Sequence, residues 1–193
     1  MNGHDSGFAL AMVGLGNERG QVAMACCPGR AGALLLPSND TRSLQRDVAT
    51  LLRWGAQALV TLLDDIELAK LHLQDLPRLL SASGIAWHHV PLNPKRLPDV
   101  GFEHAWTGVA RGLTGILRDG GKVAVHCRDG RTRAGMVAAR LLIEAGCPPQ
   151  DAINRVRAAR PGAIEHPGVE QYVLRQVPRP IREEDAQLSL LRD

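Results

Sequence analysis

Four short apolar runs, each followed by a stretch with helical periodicity, constrain this chain more than any other feature. They are residues 22–27, 58–63, 85–90 and 122–125. Each is short and mostly apolar, the pattern of a strand covered on both faces. Residues 38–54 place Leu44, Val48, Leu51 and Leu52 on one side of an amphipathic helix that Gly55 stops. Residues 66–83 read as two short helices divided near Asp75, Leu76 and Pro77, and residues 102–117 as a longer one ending at Gly120 and Gly121. Three more helices are predicted over 134–145, 149–159 and 167–177. Strands alternating with helices make an α/β fold, a mostly parallel central sheet with helices on both faces.

At 193 residues, with 45% hydrophobic and 22% charged residues, the chain fits one folded domain. The reading is a Gly-rich N-terminal extension (1–21), a catalytic-type domain (22–177) and a Pro-containing, charged C-terminal tail (178–193). No apolar run reaches the ~18 to 20 residues of an integral membrane segment. Residues 1–5 carry no basic stretch ahead of an apolar core, so no secretory leader is expected. A net charge of +3 without a Lys/Arg block, together with 3% aromatic residues, argues against nucleic acid as a partner. Four cysteines (Cys26, Cys27, Cys127, Cys147) without a C-x-x-C pair suggest neither a disulfide framework nor a zinc site. A cytoplasmic protein with free thiols and no metal or cofactor is the expectation.

The chemistry is concentrated in Val-Ala-Val-His-Cys-Arg-Asp-Gly-Arg-Thr-Arg-Ala-Gly, residues 123–135. An apolar strand runs into a polar loop whose first residue is Cys127, Arg133 follows six positions later, and a helix begins there. Loops at the carboxyl ends of parallel strands are where ligands gather. A loop closing onto a helix N-terminus turns backbone N–H groups inward, adds about half a positive charge and suits a tetrahedral anion. The same field predicts a depressed pKa for Cys127, a nucleophile near neutral pH. The planar guanidinium of Arg133 can hold two phosphoryl oxygens. Gly130 supplies unusual dihedrals, while Arg128, Asp129, Arg131 and Thr132 complete the phosphate-binding loop and His126 orients it.

This strand–His-Cys-x-x-Gly-x-x-Arg–helix segment resembles the cysteine-dependent protein tyrosine and dual-specificity phosphatases. Cys27-Pro-Gly-Arg30, Leu59-Val-Thr-Leu-Leu63, His88-His-Val-Pro-Leu92, and Ala159-Arg-Pro-Gly-Ala-Ile-Glu165 with Tyr172 are similar to the cyclin-dependent-kinase-inhibitor-3-like branch, over roughly residues 22–176. The resemblance implies a protein-tyrosine-phosphatase-like fold and metal-free hydrolysis of phosphotyrosine or phosphoserine/threonine proteins through a cysteinyl phosphate. In that scheme the arginine holds the equatorial oxygens and a carboxylic acid protonates the leaving oxygen. A phosphoinositide or inositol-phosphate phosphatase, and a phosphate-binding protein with weakened catalysis, are the alternatives.

Three positions depart from the pattern. The residue after the arginine is Ala134 rather than a hydroxyl residue that eases departure of the thiolate. The general acid's position holds Pro94, flanked by Asn93 and Lys95. The water-positioning glutamine's place is taken by Val169, beside Glu170 and Gln171. Asp129 in the loop is the candidate acid, with pairing to Arg128 or Arg131 as its other reading. Asp64 lies on the same rim and Asp99 farther along, both also suited to capping helices. Arg128 and Arg131, with Arg30 and Arg96, would serve a small polyanionic phosphoester, or else balance neighbouring carboxylates. Cys26 and Cys27 are read as buried strand thiols, with oxidative pairing to Cys127 as the alternative. His88 and His89 read as loop support, and Trp54, Trp87 and Trp106 as core.

Overall fold

Valine, leucine and alanine fill the middle strands because those strands have helices on both sides. The computed structural model describes residues 8–16, 20–31, 36–37 and 41–177. In chain order the elements are β1 (Leu10–Gly14), β2 (Gln21–Ala25), β3 (Arg30–Ala31), β4 (Leu36–Pro37), α1 (Thr41–Trp54), β5 (Ala58–Thr61), α2 (Asp65–Lys70), α3 (Leu76–Ala82), β6 (Ala86–His89), α4 (Val100–Arg118), β7 (Lys122–His126), α5 (Thr132–Glu144), α6 (Pro149–Ala159) and α7 (Pro167–Leu174). The sheet order is β1-β2-β7-β5-β6, and β3 pairs only with β4. β2, β7, β5 and β6 run parallel, while β1 is antiparallel to β2.

Alternation along the strands sends their side chains into two cores. Val22, Met24, Val60, Val123 and Val125 meet α4, α5 and α6 on one face. Leu59, Leu63 and Ala124 meet α1 and α3 on the other. The α/β expectation with a mostly parallel sheet and helices on both faces therefore holds. The expected helix pair in 66–83 is α2 and α3, separated close to Asp75. Residues 10–14, within the stretch expected to be an extension, supply the edge strand β1, and only Val13 of it is buried. The tail at 178–193 lies outside the described residues. No helix among the described residues is long and apolar enough to cross a membrane.

Of the three tryptophans, Trp106 is fully buried, whereas Trp54 and Trp87 are partly exposed. Trp106 belongs to a polar knot behind α5. Its Nε1–H donates to Glu144 at 2.7 Å. Arg140 bonds Glu144 through Nε at 2.9 Å and reaches Glu103 through both terminal nitrogens at 2.9 and 2.8 Å. Its NH1 also bonds the Tyr172 hydroxyl. Arg140 and Glu144 are only 5% and 3% exposed, so removing the guanidinium takes a fixed positive charge away from a buried carboxylate. Arg140→Met is expected to lower stability by about 3 kcal/mol, measured as a fall in the urea midpoint. A loss under 1 kcal/mol would show that Glu144 is not held by this pair.

Candidate functional site

Strand ends, loops and helix termini deliver polar groups to one edge of the sheet, the carboxyl ends of the parallel strands. β7 ends at His126, and Cys127 opens the loop that α5 closes from Thr132. His126 is fully buried and its Nε2 lies 2.7 Å from the Thr61 hydroxyl, which accepts the Trp87 indole N–H at 2.8 Å. Burial pushes the imidazole down to about 3, which favours the neutral ring, and its bond to Thr61 ties the end of β7 to β5.

Gly130 has φ +71°, and a Cβ there would lie 2.6 Å from the Ala25 carbonyl carbon and oxygen. Only glycine lets the loop press so closely on the end of β2. Contact continues through the Cys27 N–H, which donates to the Arg128 carbonyl at 3.2 Å. Arg128, Asp129, Arg131 and Thr132 are exposed, whereas Cys127 and Arg133 are buried, at 1% and 7% exposed.

The expected depression of the Cys127 pKa is overturned. Burial raises it first and the neighbouring Asp129 charge raises it further. The N–H groups of Ala134 and Gly130 and the Arg133 charge pull the other way but do not prevail, so the thiol is held above its ordinary value. Its Sγ donates to Asp129 Oδ1 at 3.4 Å, and the same oxygen accepts the Arg131 N–H at 3.1 Å. Asp129 is thus the carboxylate in contact with the sulfur. Asp64 and Asp99 are placed otherwise. Asp64 caps α2 by accepting the Glu67 N–H at 2.8 Å, and Asp99 caps α4 by accepting the Phe102 N–H at 2.9 Å. Pro94, Asn93 and Lys95 lie in an exposed turn.

Arg133 reaches across to α2. Its NH1 and NH2 donate to Glu67 Oε2 and Oε1 at 2.6 and 2.8 Å, and NH1 also meets the carbonyls of Leu62 and Leu92 at 3.2 and 3.1 Å. These four bonds occupy one edge of the guanidinium and fix its plane. Glu67 was not singled out in the sequence; its only signal there is a carboxylate on the helix after β5, three residues beyond a capping aspartate.

A second group missed in the sequence is Arg160, at the end of α6. Its NH2 donates to the Asp129 carbonyl at 2.9 Å, and Arg30 NH1 approaches the Arg128 carbonyl at 3.4 Å. The turn that carries Arg30 is held by Asp47, a buried carboxylate that accepts the Gly29 N–H at 2.7 Å and is pushed by burial to about 6. Arg96 makes no side-chain bond to the loop among the described residues. The ion pairs among the described residues leave Arg30, Arg128, Arg131 and Arg160 without carboxylate partners. Asp129 lies between Arg128 and Arg131 in the loop and accepts the Arg131 backbone N–H, so both roles considered for these arginines stay open.

All four cysteines are free. Cys26 and Cys27 lie beyond the end of β2 rather than in it, and only Cys27 is buried; it donates to the Pro28 carbonyl at 3.4 Å, and burial holds its thiol far above the ordinary range. Cys147 lies in the core away from the loop. His89 contacts the Leu63 carbonyl through Nε2 at 2.8 Å and stacks on Trp87, supporting the rim, while His88 is partly buried in the same strand. Val169 is core, Glu170 pairs with Arg157 at 3.0 Å, and Gln171 is exposed. No group of three or more metal-ligating side chains occurs among the described residues.

Comparison with known proteins follows the same lines. Residues 22–153 match the family model of cyclin-dependent kinase inhibitor 3. Curated relatives of that name are 32% identical in Rattus norvegicus, over 68% of this chain and 61% of the relative. The Homo sapiens protein is 31% identical over 88% and 75%. The chain thus spans about three fifths of the rat relative's length. Among solved structures, kinase associated phosphatase with its catalytic-site cysteine substituted by serine superposes with TM-score 0.72 at 23% identity, covering 96% of this chain and 98% of that one. Tk-PTP in its active form gives 0.59 at 23% identity, covering 89% and 98%. Both likenesses are of fold.

The buried imidazole has a consequence for acid stability. Its folded pKa lies below the ~6.5 of an unfolded histidine, so between those values the unfolded chain binds the extra proton. The stabilisation is present above pH ~6.5 and is lost as pH falls toward 3. His126→Asn should flatten this part of a Tm-against-pH curve; an unchanged slope would mean that the ring is protonated in the folded protein.

Proposed function

Because the chain belongs to the cyclin-dependent kinase inhibitor 3 family, we propose that it is a phosphomonoester hydrolase acting on phosphorylated proteins through a cysteinyl-phosphate intermediate. The observation that carries this reading is the Cys127–Asp129 contact in a loop whose helix-starting N–H groups lack helical acceptors. The pair supplies both catalytic functions from one proton. Moving the thiol proton to Asp129 leaves a thiolate, the nucleophile, and a carboxylic acid, the proton donor. The hydrogen bond gives that proton a path, and the N–H groups of Ala134 and Gly130 with the Arg133 charge favour the thiolate that is left.

In the first step Sγ attacks phosphorus in line, forming the S–P bond as the ester P–O bond breaks. Asp129, whose exposed carboxyl is free to swing outward, gives its proton to the departing oxygen. Backbone N–H groups of residues 128–133 and the free edge of Arg133 hold the phosphoryl oxygens. In the second step water attacks phosphorus and yields its proton to Asp129, while the S–P bond breaks to release phosphate and thiolate. Ala134 has no hydroxyl to ease that departure; the N–H groups of Ala134 and Gly130 directed at Sγ take up the developing charge. His126 and Glu67 position the loop and the guanidinium without touching substrate.

Cys127→Ser is expected to abolish turnover of p-nitrophenyl phosphate and to retain phosphate binding by calorimetry. Substantial residual activity would rule out the covalent route. Asp129→Asn should steepen the dependence of rate on leaving-group pKa, with alkyl phosphates slowed at least about 100-fold and activated phenyl phosphates much less. An unchanged slope would remove Asp129 from the acid's role.

A further inference from the structure

One polar chain crosses an otherwise apolar face of the sheet, from β6 through β5 to the end of β7. Thr61 and His126 are direct neighbours in the parallel register and both are fully buried. Alternation puts them on the same face as Leu59, Trp87 and Ala124. An indole N–H can only donate, and that of Trp87 lies 2.8 Å from Thr61 Oγ1. The indole is held in place by His89, stacked on it at 5.4 Å with 12° between the planes and itself 2.8 Å from the Leu63 carbonyl. Accepting from Trp87 leaves the Thr61 hydroxyl one hydrogen, and His126 Nε2 is 2.7 Å away to receive it. A neutral imidazole whose Nε2 accepts carries its proton on Nδ1.

Nδ1 is shielded from solvent and has no hydrogen-bond partner of its own. The Cys127 backbone raises the basicity of this ring, as an acceptor does, and with Nε2 engaged by Thr61 that acceptor faces Nδ1. A proton on Nδ1 draws it in, whereas a lone pair there would push it away. Contacts of this kind are long in a free enzyme and tighten when substrate binds.

We propose that Trp87 and Thr61 are positioning residues for the hydrolysis: the indole commits the Thr61 hydroxyl, the hydroxyl fixes His126 in its Nδ1–H form, and that N–H holds the backbone of Cys127 for attack. This inference rests on the reading of Cys127 as the nucleophile. Both residues act through His126 rather than on substrate. Reversing the ring's proton would turn the imidazole from donor to acceptor toward the peptide that carries the sulfur. A hydroxyl between an obligate donor and a ring nitrogen therefore sets a direction as well as a distance.

The test uses the full chain with isotope-labelled histidine, and long-range proton–nitrogen NMR spectra read which ring nitrogen of His126 is protonated. The resonance is assigned by its loss in His126→Asn. The wild type is expected to show the Nδ1–H form alone. Trp87→Phe keeps a ring against His89 but frees the Thr61 hydroxyl, so the Nε2–H form is expected to appear as well. Thr61→Val should show the same mixture and lower kcat for p-nitrophenyl phosphate about tenfold, the loss of one hydrogen bond. Thr61→Ser, which restores the hydroxyl, should keep the Nδ1–H form and stay within about twofold of the wild-type rate. An Nε2–H ring in the wild type overturns the relay, as does a ring form that Trp87→Phe leaves unchanged. A shifted ring form with an unchanged kcat overturns the positioning role. Should Thr61→Val not fold, Trp87→Phe decides both points, with kcat expected to fall in proportion to the Nδ1–H fraction lost. If the wild type turns over no ester, the hydrolase reading fails by itself, and alkylation of Cys127 by iodoacetamide, followed by peptide mass, replaces kcat. A rate about tenfold lower in Thr61→Val then supports the relay, and an equal rate overturns it.

Discussion

The bidentate pair between Arg133 and Glu67 holds together segments that the sequence keeps far apart. One guanidinium edge joins the start of α5 to α2 and to the carbonyls that end β5 and follow β6. Both partners are largely shielded, with side-chain exposures of 8% and 18%, so water screens the attraction little and the geometry is strict. Arg133 consequently reaches the loop already aimed. Its Nε–H and the second NH2 hydrogen stay outside these four bonds, and in the proposed hydrolysis they are the donors offered to the phosphoryl group.

Electrostatics of the sulfur differ from what a helix N-terminus alone suggests. Amide dipoles and a guanidinium favour a thiolate, yet burial and an adjacent carboxylate weigh more, and the thiol is favoured. A buried cysteine held as a thiol is a poor nucleophile and also a poor target for oxidants. The contact with Asp129 then becomes the point of control, since whatever displaces or protonates that carboxylate alters the sulfur as well. On the proposed mechanism, the proline at position 94 and the aspartate beside Cys127 are two sides of one arrangement, with the proton donor placed in the loop itself.

Much of the framework was legible because burial on both faces leaves a direct trace. Residues 58–63 and 122–125 are apolar in succession, and β5 and β7 are the two central strands they announce. β1 left no such trace. It is an edge strand with one buried side chain, and its glycine-rich flanks look like a linker. Within the site, the spacing of Cys127 and Arg133 was readable because both lie on one continuous strand–loop–helix, and the capping roles of Asp64 and Asp99 follow from local order. Glu67 and Arg160 were not readable in this way. Each acts through a contact that exists only after α2 or α6 has packed beside the loop, and neither position looks unusual along the chain. The protonation of Cys127 was misjudged for a related reason: desolvation is set by everything packed around the sulfur, whereas the dipole argument needs only its neighbours in sequence.

The parallel pairing of β2 with β7 sets Ala25 opposite His126, joining the beginning of the sheet to its last strand. Gly130 then closes on the backbone of Ala25 and Cys26. A nascent chain emerging from a ribosome can build the β5–β6 pair early, but β2 stays without its inner neighbour until nearly the whole domain has been synthesised. Such long-range closure is entropically slow. The anion cradle is therefore among the last parts to assemble, and a shortened translation product would carry half of a sheet and none of the chemistry.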